Sequence, residues 1–228
     1  MRCIVTAGPT YEPLDEVRRL TNFSTGRLGA ALADHLTNAG HEVLVLRGAS
    51  ATAPLPTNAT DVQSFGSTAD LRTRFENLSE QKWDAVFHAA AVSDFAFGKV
   101  FVRTLNGELM PIHDPTDGHR AGECRKLSTR EGSLLAELLP TPKLLPMLRG
   151  WFPQALLVGW KYEMDGSRAQ ALDRGREQLR DARTDACVVN GAAYGEGFGL
   201  LEATGALQHL ADLSQLCSAL EALLRGKA

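Results

Sequence analysis

The residues best placed to meet a ligand gather around one early stretch. Ala7-Gly8-Pro9-Thr10 ends a short apolar run, Cys3 to Thr6, and Ser24-Thr25-Gly26-Arg27-Leu28-Gly29 opens an amphipathic one. A strand, a small-residue loop and a helix start bring free backbone N–H groups and the positive end of a helix dipole to one place. That is the chemistry of an anion site. Gly26 and Gly29 permit close approach of a ligand or a neighbouring backbone. The hydroxyls of Ser24 and Thr25 are suited to cap the helix or to donate to phosphate oxygens. The stretch matches neither G-x-G-x-x-G nor G-x-x-x-x-G-K-[ST], and small residues at such turns also serve as packing devices, so by itself it leaves both readings open.

The titratable residues at strand ends or in glycine-containing loops are Arg18, Arg19, Asp94, Lys126, Lys161 and Glu163, and a solvated charge is the plain alternative for each. Asp94 stands out because Ala89-Ala90-Ala91-Val92-Ser93 carries the chain to it directly from an apolar run. A carboxylate delivered to a strand end suits a ribose hydroxyl or Mg²⁺. His88, inside that run, reads as a core histidine. Asn22 has two readings, an Asx-turn or a group that orients a carboxylate or acyl oxygen. Tyr11, Tyr162 and Tyr194 all lack a lysine four residues on, which removes the Tyr-x-x-x-Lys pair of short-chain dehydrogenases, and no G-x-S-x-G elbow occurs.

The elements that must carry these residues follow a βαβ rhythm. Helices are predicted over Ser24–Ala39, Thr68–Leu78, Thr141–Phe152 (with Thr141-Pro142 as cap and first position), Ser167–Arg183 and Leu213–Leu224. Strands are predicted over Cys3–Thr6, His41–Arg47, Asp61–Phe65, Trp83–Ala91, Ala155–Tyr162 and Asp185–Asn190. Asn106-Gly107 predicts a hairpin between Val100–Leu105 and Glu108–Ile112. His113–Arg125 reads as a surface loop and Leu200–His209 as an edge hairpin. The fold class is therefore α/β, a Rossmann-like, mostly parallel doubly wound sheet flanked by helices, with an inserted hairpin and loop around 97–125, in one domain spanning 1–228. In such sheets ligands bind beyond the carboxyl ends of the strands, so the loops after the first and fourth strands converge on one crevice and strengthen the nucleotide reading of both.

Composition bounds the rest. The 228 residues carry a formal charge of −3, which argues against a nucleic-acid backbone as partner. Cys3, Cys124, Cys187 and Cys217 form no C-x-x-C pair, so free thiols and a cytoplasmic location are expected. No apolar run approaches ~18 residues, and no membrane span is expected.

Taken together, Thr6-Ala7-Gly8-Pro9-Thr10, Glu12 to Arg18, and Asn22-Phe23-Ser24-Thr25-Gly26 with Gly29 closely resemble the opening of the phosphopantothenoylcysteine synthetase (phosphopantothenate–cysteine ligase) family. Ala89 to Phe95, Lys126-Leu127-Ser128, Thr141 to Leu145, Gly159 to Glu163 and Val189-Asn190 resemble its later blocks in order. The resemblance implies that a nucleoside triphosphate, ATP or CTP with Mg²⁺, activates the carboxylate of 4′-phosphopantothenate as an acyl-nucleotide. Cysteine then forms the amide, a step towards coenzyme A. It implies Asn22 and Lys126 as catalytic residues. It implies nucleotide contacts from Gly8, Ser24, Thr25, Gly26, Ala89, Asp94, Lys161 and Asn190, substrate contacts from Arg18, Asn22 and Ala90, and Asp94 as a metal ligand. Arg18 matches an arginine that crosses to the other subunit of a homodimer. Trp160-Lys161-Tyr162-Glu163 leans towards the members that use ATP. The segment Phe97–Arg125 is longer than the family spacing, and Lys126-Leu127-Ser128-Thr129 lacks a second lysine. The other readings are a nucleotide-binding regulatory protein of the same fold and an NAD(P)-dependent reductase.

Overall fold

The computed structural model describes residues 1–104, 106–113, 127 and 132–227. Its main sheet is formed by β1 (Arg2–Ala7), β4 (Glu42–Gly48), β5 (Asp61–Phe65), β6 (Ala85–His88), β10 (Leu156–Tyr162), β11 (Ala186–Asn190), β12 (Phe198–Glu202) and β13 (Leu207–Leu210). The order across it is β5-β4-β1-β6-β10-β11-β12-β13. The first six strands in that order are parallel, and β12 and β13 return antiparallel at one edge. From β1 the chain moves outward through β4 and β5, then crosses back to lay β6 on the other side of β1. That reversal is the topological switch point of a doubly wound sheet, and it directs ligands to the carboxyl ends of β1 and β6.

The strands are apolar throughout because both faces are covered. Cys3, Val5, Ala85, Phe87, Leu156 and Val158 face α1 (Arg27–Asn38) and α5 (Leu213–Gly226). Ile4, Leu44, Leu46, Val86 and Leu157 face α2 (Thr68–Leu78) and the short α3 (Leu148–Trp151). Cys187 and Val189 face α4 (Arg168–Ala182). The spacing of Gly29, Leu32, Ala33 and Leu36 puts one face of α1 against the sheet. Gly40, at φ 88°, ends that helix: its N–H reaches the Thr37 carbonyl and the next N–H, of His41, reaches Leu36, a Schellman stop.

Beside the main sheet lie a ribbon of β2 (Tyr11–Pro13) and β3 (Arg19–Thr21) and a three-stranded sheet, β8-β7-β9, of β7 (Phe95–Arg103), β8 (Leu109–His113) and β9 (Ser133–Pro140). The β7–β8 hairpin turns at Asn106-Gly107 as the sequence predicts, with Gly107 at φ 86°. Ribbon β2–β3 and strand β9 are not predicted, since each is stabilised by a partner rather than by its own pattern. Three boundaries differ. Helix α1 begins at Arg27 because Gly26 takes a left-handed conformation, so its cap is Gly26 rather than Ser24 or Thr25. Strand β6 ends at His88, and Ala89–Val92 leave the sheet towards the crevice. Thr141 does not cap a helix: its hydroxyl donates to the Ser93 carbonyl and its N–H to that of Asp94, so the chain stays extended there and the helix starts at Leu145 as a 3-10 turn. The predicted loop His113–Arg125 lies, beyond His113, outside the described residues.

Gly29 shows how tightly α1 sits on β1. A Cβ there would lie 2.6 Å from that of Ala7 and 2.7 Å from the Thr6 carbonyl oxygen. Gly29→Ala is therefore expected to destabilise the fold by about 1–3 kcal/mol, the usual cost of overpacking against backbone. Urea unfolding checks this: the midpoint should fall at an unchanged m-value.

Candidate functional site

The loops that follow β1 and β6 are joined along their length. Thr6 Oγ1 accepts from the Ala90 N–H (2.9 Å) and lies 3.0 Å from His88 Nδ1. The Ala91 N–H donates to the Gly8 carbonyl, the Thr10 N–H to that of Ala91, and the Ser93 N–H to Thr10 Oγ1. Besides accepting from Ala90, the Thr6 hydroxyl keeps a proton and a second lone pair, so it bonds His88 Nδ1 in either ring tautomer. Burial pushes His88 down to about 4, so the ring in this seam is neutral near pH 7.

The joined loops close the gap between β1 and β6, and the open space lies beside them. A cleft of about 1110 Å³ runs across the carboxyl ends of β6, β10 and β11, with the start of α1 opposite. Asn22 to Gly29, His88 to Asp94, Lys161 and Asn190 line it, which brings together Asn22, Ser24, Thr25, Gly26, Ala89, Ala90, Asp94, Lys161 and Asn190. Gly26 has no side chain to accept the first-turn N–H groups, and the Thr25 hydroxyl accepts only from Arg27 N (3.3 Å). The positive end of α1 therefore faces the cleft, as an anion site requires. Gly8 lies outside this lining. Its φ of 84° and its missing Cβ serve a contact with Ala51, whose Cβ would stand 2.5 Å from one on residue 8.

Asn22 is held by its own amide. Nδ2 donates to the carbonyls of Ala91 (3.2 Å) and Val92 (3.3 Å), which engages its two protons and leaves Oδ1 as an acceptor with no partner among the described residues. Asp94 is ion-paired with Lys143, both with exposed side chains. Lys161 Nζ lies 3.3 Å from Glu163 Oε1, and Arg174 holds the other oxygen of Glu163. Lys143, Trp160 and Gln178 also line the cleft, and none was singled out from sequence. The cue for Lys143 was its place between Pro142 and the apolar Leu144-Leu145; Gln178 had none, because it packs beside Gly159 in another element, where a Cβ would lie 2.8 Å from its Nε2. No described group of three or more His, Cys, Asp or Glu side chains is arranged to hold a metal ion.

Arg18 is engaged within the chain. Asp15, whose carboxylate is fully buried, accepts from the N–H groups of Val17, Arg18 and Leu127 and from the Arg18 guanidinium. Arg18 in turn donates to the Leu127 carbonyl (3.0 Å). The pair thus grips both backbone groups of a residue more than a hundred positions away. Lys126 lies outside the described residues. Cys3, Cys187 and Cys217 are buried free thiols, and burial pushes Cys3 and Cys187 up to about 12. No helix of the described residues is long and apolar enough to cross a membrane.

Comparison with known proteins agrees with this fold. Residues 1–104 match the model of the DNA/pantothenate metabolism flavoprotein C-terminal domain. The chain is 30% identical over 190 residues to the coenzyme A biosynthesis bifunctional protein CoaBC of Thermococcus kodakarensis, covering 83% of this chain and 41% of that protein. It is 29% identical over 197 residues to that of Bacillus subtilis, covering 86% of this chain and 42% of the relative. The chain thus spans less than half the length of these curated relatives. The crystal structure of the DNA/pantothenate metabolism flavoprotein from Streptococcus pneumoniae superposes with a TM-score of 0.81 at 22% identity, covering both chains fully. The Rossmann-like α/β fold read from the sequence is therefore that of the molecule.

The Asp15 grip makes a prediction about acid stability. Burial raises the Asp15 pKa, but the hydrogen bonds from Arg18, Leu127 and Val17 outweigh it and hold the carboxyl well below the ordinary range. A folded-state pKa below the unfolded value of ~3.9 means that the unfolded chain takes up protons first. The stabilisation is complete above that value and is lost as pH falls from about 5 towards the folded pKa. Asp15→Asn should lower the urea midpoint at pH 7 and flatten its decline between pH 5 and 3. Parallel profiles for the two proteins would show that Asp15 carries no such linkage.

Proposed function

We propose that this chain, whose first 104 residues carry the DNA/pantothenate metabolism flavoprotein C-terminal domain, is a phosphopantothenate–cysteine ligase. One observation carries the reading. The uncapped start of α1, Asn22 and Asp94 face one cleft at the strand carboxyl ends. That is the arrangement needed to hold a triphosphate beside a carboxylate. The relatives named for coenzyme A biosynthesis support the same pathway.

The chemistry follows from the charges. A carboxylate is a poor electrophile until one oxygen becomes a phosphate leaving group. In the first step a carboxylate oxygen of 4′-phosphopantothenate attacks the α-phosphorus, the bond from that phosphorus to the bridging oxygen breaks, and pyrophosphate departs. The N–H groups at Gly26–Gly29 and the hydroxyls of Ser24 and Thr25 hold the phosphates and offset the charge that develops on them. In the second step the amine of cysteine attacks the acyl carbon, nucleoside monophosphate leaves, and the amine gives up a proton. Asn22 Oδ1, an acceptor with no partner among the described residues, suits an N–H donor such as that amine. The sequence reading had offered Asn22 to a carboxylate or acyl oxygen, which would need the Nδ2 protons already given to Ala91 and Val92. Lys126 supplies a cation to the activated intermediate. Ala89 and Ala90 present backbone in the cleft wall, and Lys161 and Asn190 close its far end.

Mg²⁺ is commonly held by one or two carboxylates together with substrate phosphates, and Asp94 is in the cleft lining. Asp94 is paired with an ammonium, and no described acidic cluster accompanies it. Mg²⁺ enters as the companion ion of the triphosphate, and a contact from Asp94 to it requires that Asp94 release Lys143.

The enzyme acts as a cytoplasmic homodimer. The exposed apolar side chains of Val17, Leu20 and Phe23, the last with 105% relative exposure, lie on or beside the β2–β3 ribbon, and those of Phe95, Leu138 and Leu139 lie on β7 and β9, next to β2. Apolar exposure of this kind supports an interface with a second copy beside Arg18. ATP is the expected triphosphate.

Pyrophosphate release with 4′-phosphopantothenate, Mg²⁺ and either ATP or CTP, with and without cysteine, tests the reading. Release should require phosphopantothenate, and cysteine should convert the intermediate to the amide. Nucleotide binding without release would leave a regulatory protein of the same fold. ATP should exceed CTP in kcat/KM, and a clear CTP preference would overturn that part. Asn22→Asp, whose carboxylate is repelled by the Ala91 and Val92 carbonyls that hold the amide and by the substrate's own carboxylate, and Lys126→Gln should each lower the rate of amide formation by about 10²–10³ while leaving the fold intact, the usual cost of one preorganised electrostatic partner. Near wild-type turnover in both would refute the roles given to them.

A further inference from the structure

We infer that Lys143 is a phosphate-binding residue of the cleft, held by Asp94 until the nucleotide arrives and transferred to the phosphates when it binds. The inference rests on the nucleotide part of the proposed function but not on the ligation chemistry.

Lys143 is presented between two fixed points. On one side Thr141 is docked on the chain that leaves β6, through its hydroxyl to the Ser93 carbonyl and its N–H to that of Asp94. On the other side Leu144 is buried in the core under α2 and α3. Pro142 restricts the backbone in between. The ammonium therefore stands at the mouth of the cleft, in the same lining as Gly26, Leu28 and Gly29.

Its present partner is easily exchanged. The side chains of Lys143 and Asp94 are 67% and 68% exposed, and a pair so solvated contributes little to stability. Lys161 differs, because its carboxylate Glu163 is largely buried and shared with Arg174. A triphosphate offers several negative oxygens beside one helix start, a better match for the ammonium than a single solvated carboxylate. Asp94, once released, is free to accept from ribose hydroxyls. Asp94 thus carries an ammonium that supplies positive charge to the cleft.

Equilibrium binding of ATP and of CTP, each with Mg²⁺ and without phosphopantothenate, tests this on wild type, Lys143→Met and Lys143→Arg. Lys143→Met should weaken the triphosphate that binds by about ten- to a hundredfold, the range of a lost hydrogen bond to a charged group. Its affinity should also depend less steeply on ionic strength. Lys143→Arg should restore most of the affinity, and the urea midpoints of all three proteins should agree, since the side chain is exposed. Unchanged affinity in Lys143→Met, or equal losses in both variants with an unchanged salt dependence, would overturn the inference. Triphosphate binding that responds as expected, in a protein that releases no pyrophosphate, would uphold it while refuting the ligase reading. Absence of triphosphate binding by the wild type would end both.

Discussion

The structure depends on the polar seam between the segments that leave β1 and β6. In most doubly wound sheets these segments diverge and a ligand enters between them. Here Thr6, Gly8 and Thr10 bond Ala90, Ala91 and Ser93, and Pro9 pairs with Ala91 as in a parallel sheet. The seam is buried, so each of its donors must find an acceptor within the protein. The neutral His88 ring meets this need at the deepest point, where a charged imidazolium would have no counter-ion. Because the seam holds, Asn22 finds the carbonyls of Ala91 and Val92 at fixed positions, and Thr141 finds those of Ser93 and Asp94.

The same constraint moves the binding space. With β1 and β6 joined, the cleft opens over β6, β10 and β11, and the start of α1 reaches across to it. The chain treats this helix start differently from those of α2, α4 and α5. Ser67, Ser167 and Asp212 cap α2, α4 and α5 through their side chains, whereas Gly26 offers α1 nothing. A capped helix is satisfied within the protein. An uncapped one keeps donors for a ligand, and with glycine at the cap the cost in stability is only a few tenths of a kcal/mol. The left-handed conformation of Gly26 and the close contact of Gly29 with β1 explain why both positions hold glycine.

Charge in the cleft is arranged by pairing. Asp94 holds Lys143, and Glu163 holds Lys161 and Arg174. Asp15 holds Arg18, which with it grips Leu127. The pairs differ in burial, and burial decides how readily each opens. Asp15 is enclosed and held by backbone donors as well, so its pair is a structural clamp. Asp94 and Lys143 are in solvent and free to exchange partners.

The sequence by itself determined most of the elements and the block that opens α1 at the cleft. Both are written in short-range patterns: apolar runs for strands covered on two faces, three- and four-residue spacing for α1 and α5, Asn106-Gly107 for the hairpin, and a small-residue loop before a helix. The block from Asn22 to Gly29 and the run ending at Asp94 were legible for the same reason. What the tertiary structure alone decided are the features made by residues far apart in the chain. Strands β2, β3 and β9 exist because of their partners. The contact of Thr141 with Ser93 and Asp94 overrides a local Thr-Pro helix signal. Gly8 packs on Ala51, and Gln178 reaches the cleft beside Gly159. Lys143 meets Asp94, and Arg18 turns inward to Asp15 and Leu127. A local pattern records which backbone shape a segment prefers, but a side chain's partner depends on distances that exist only once the chain has closed on itself.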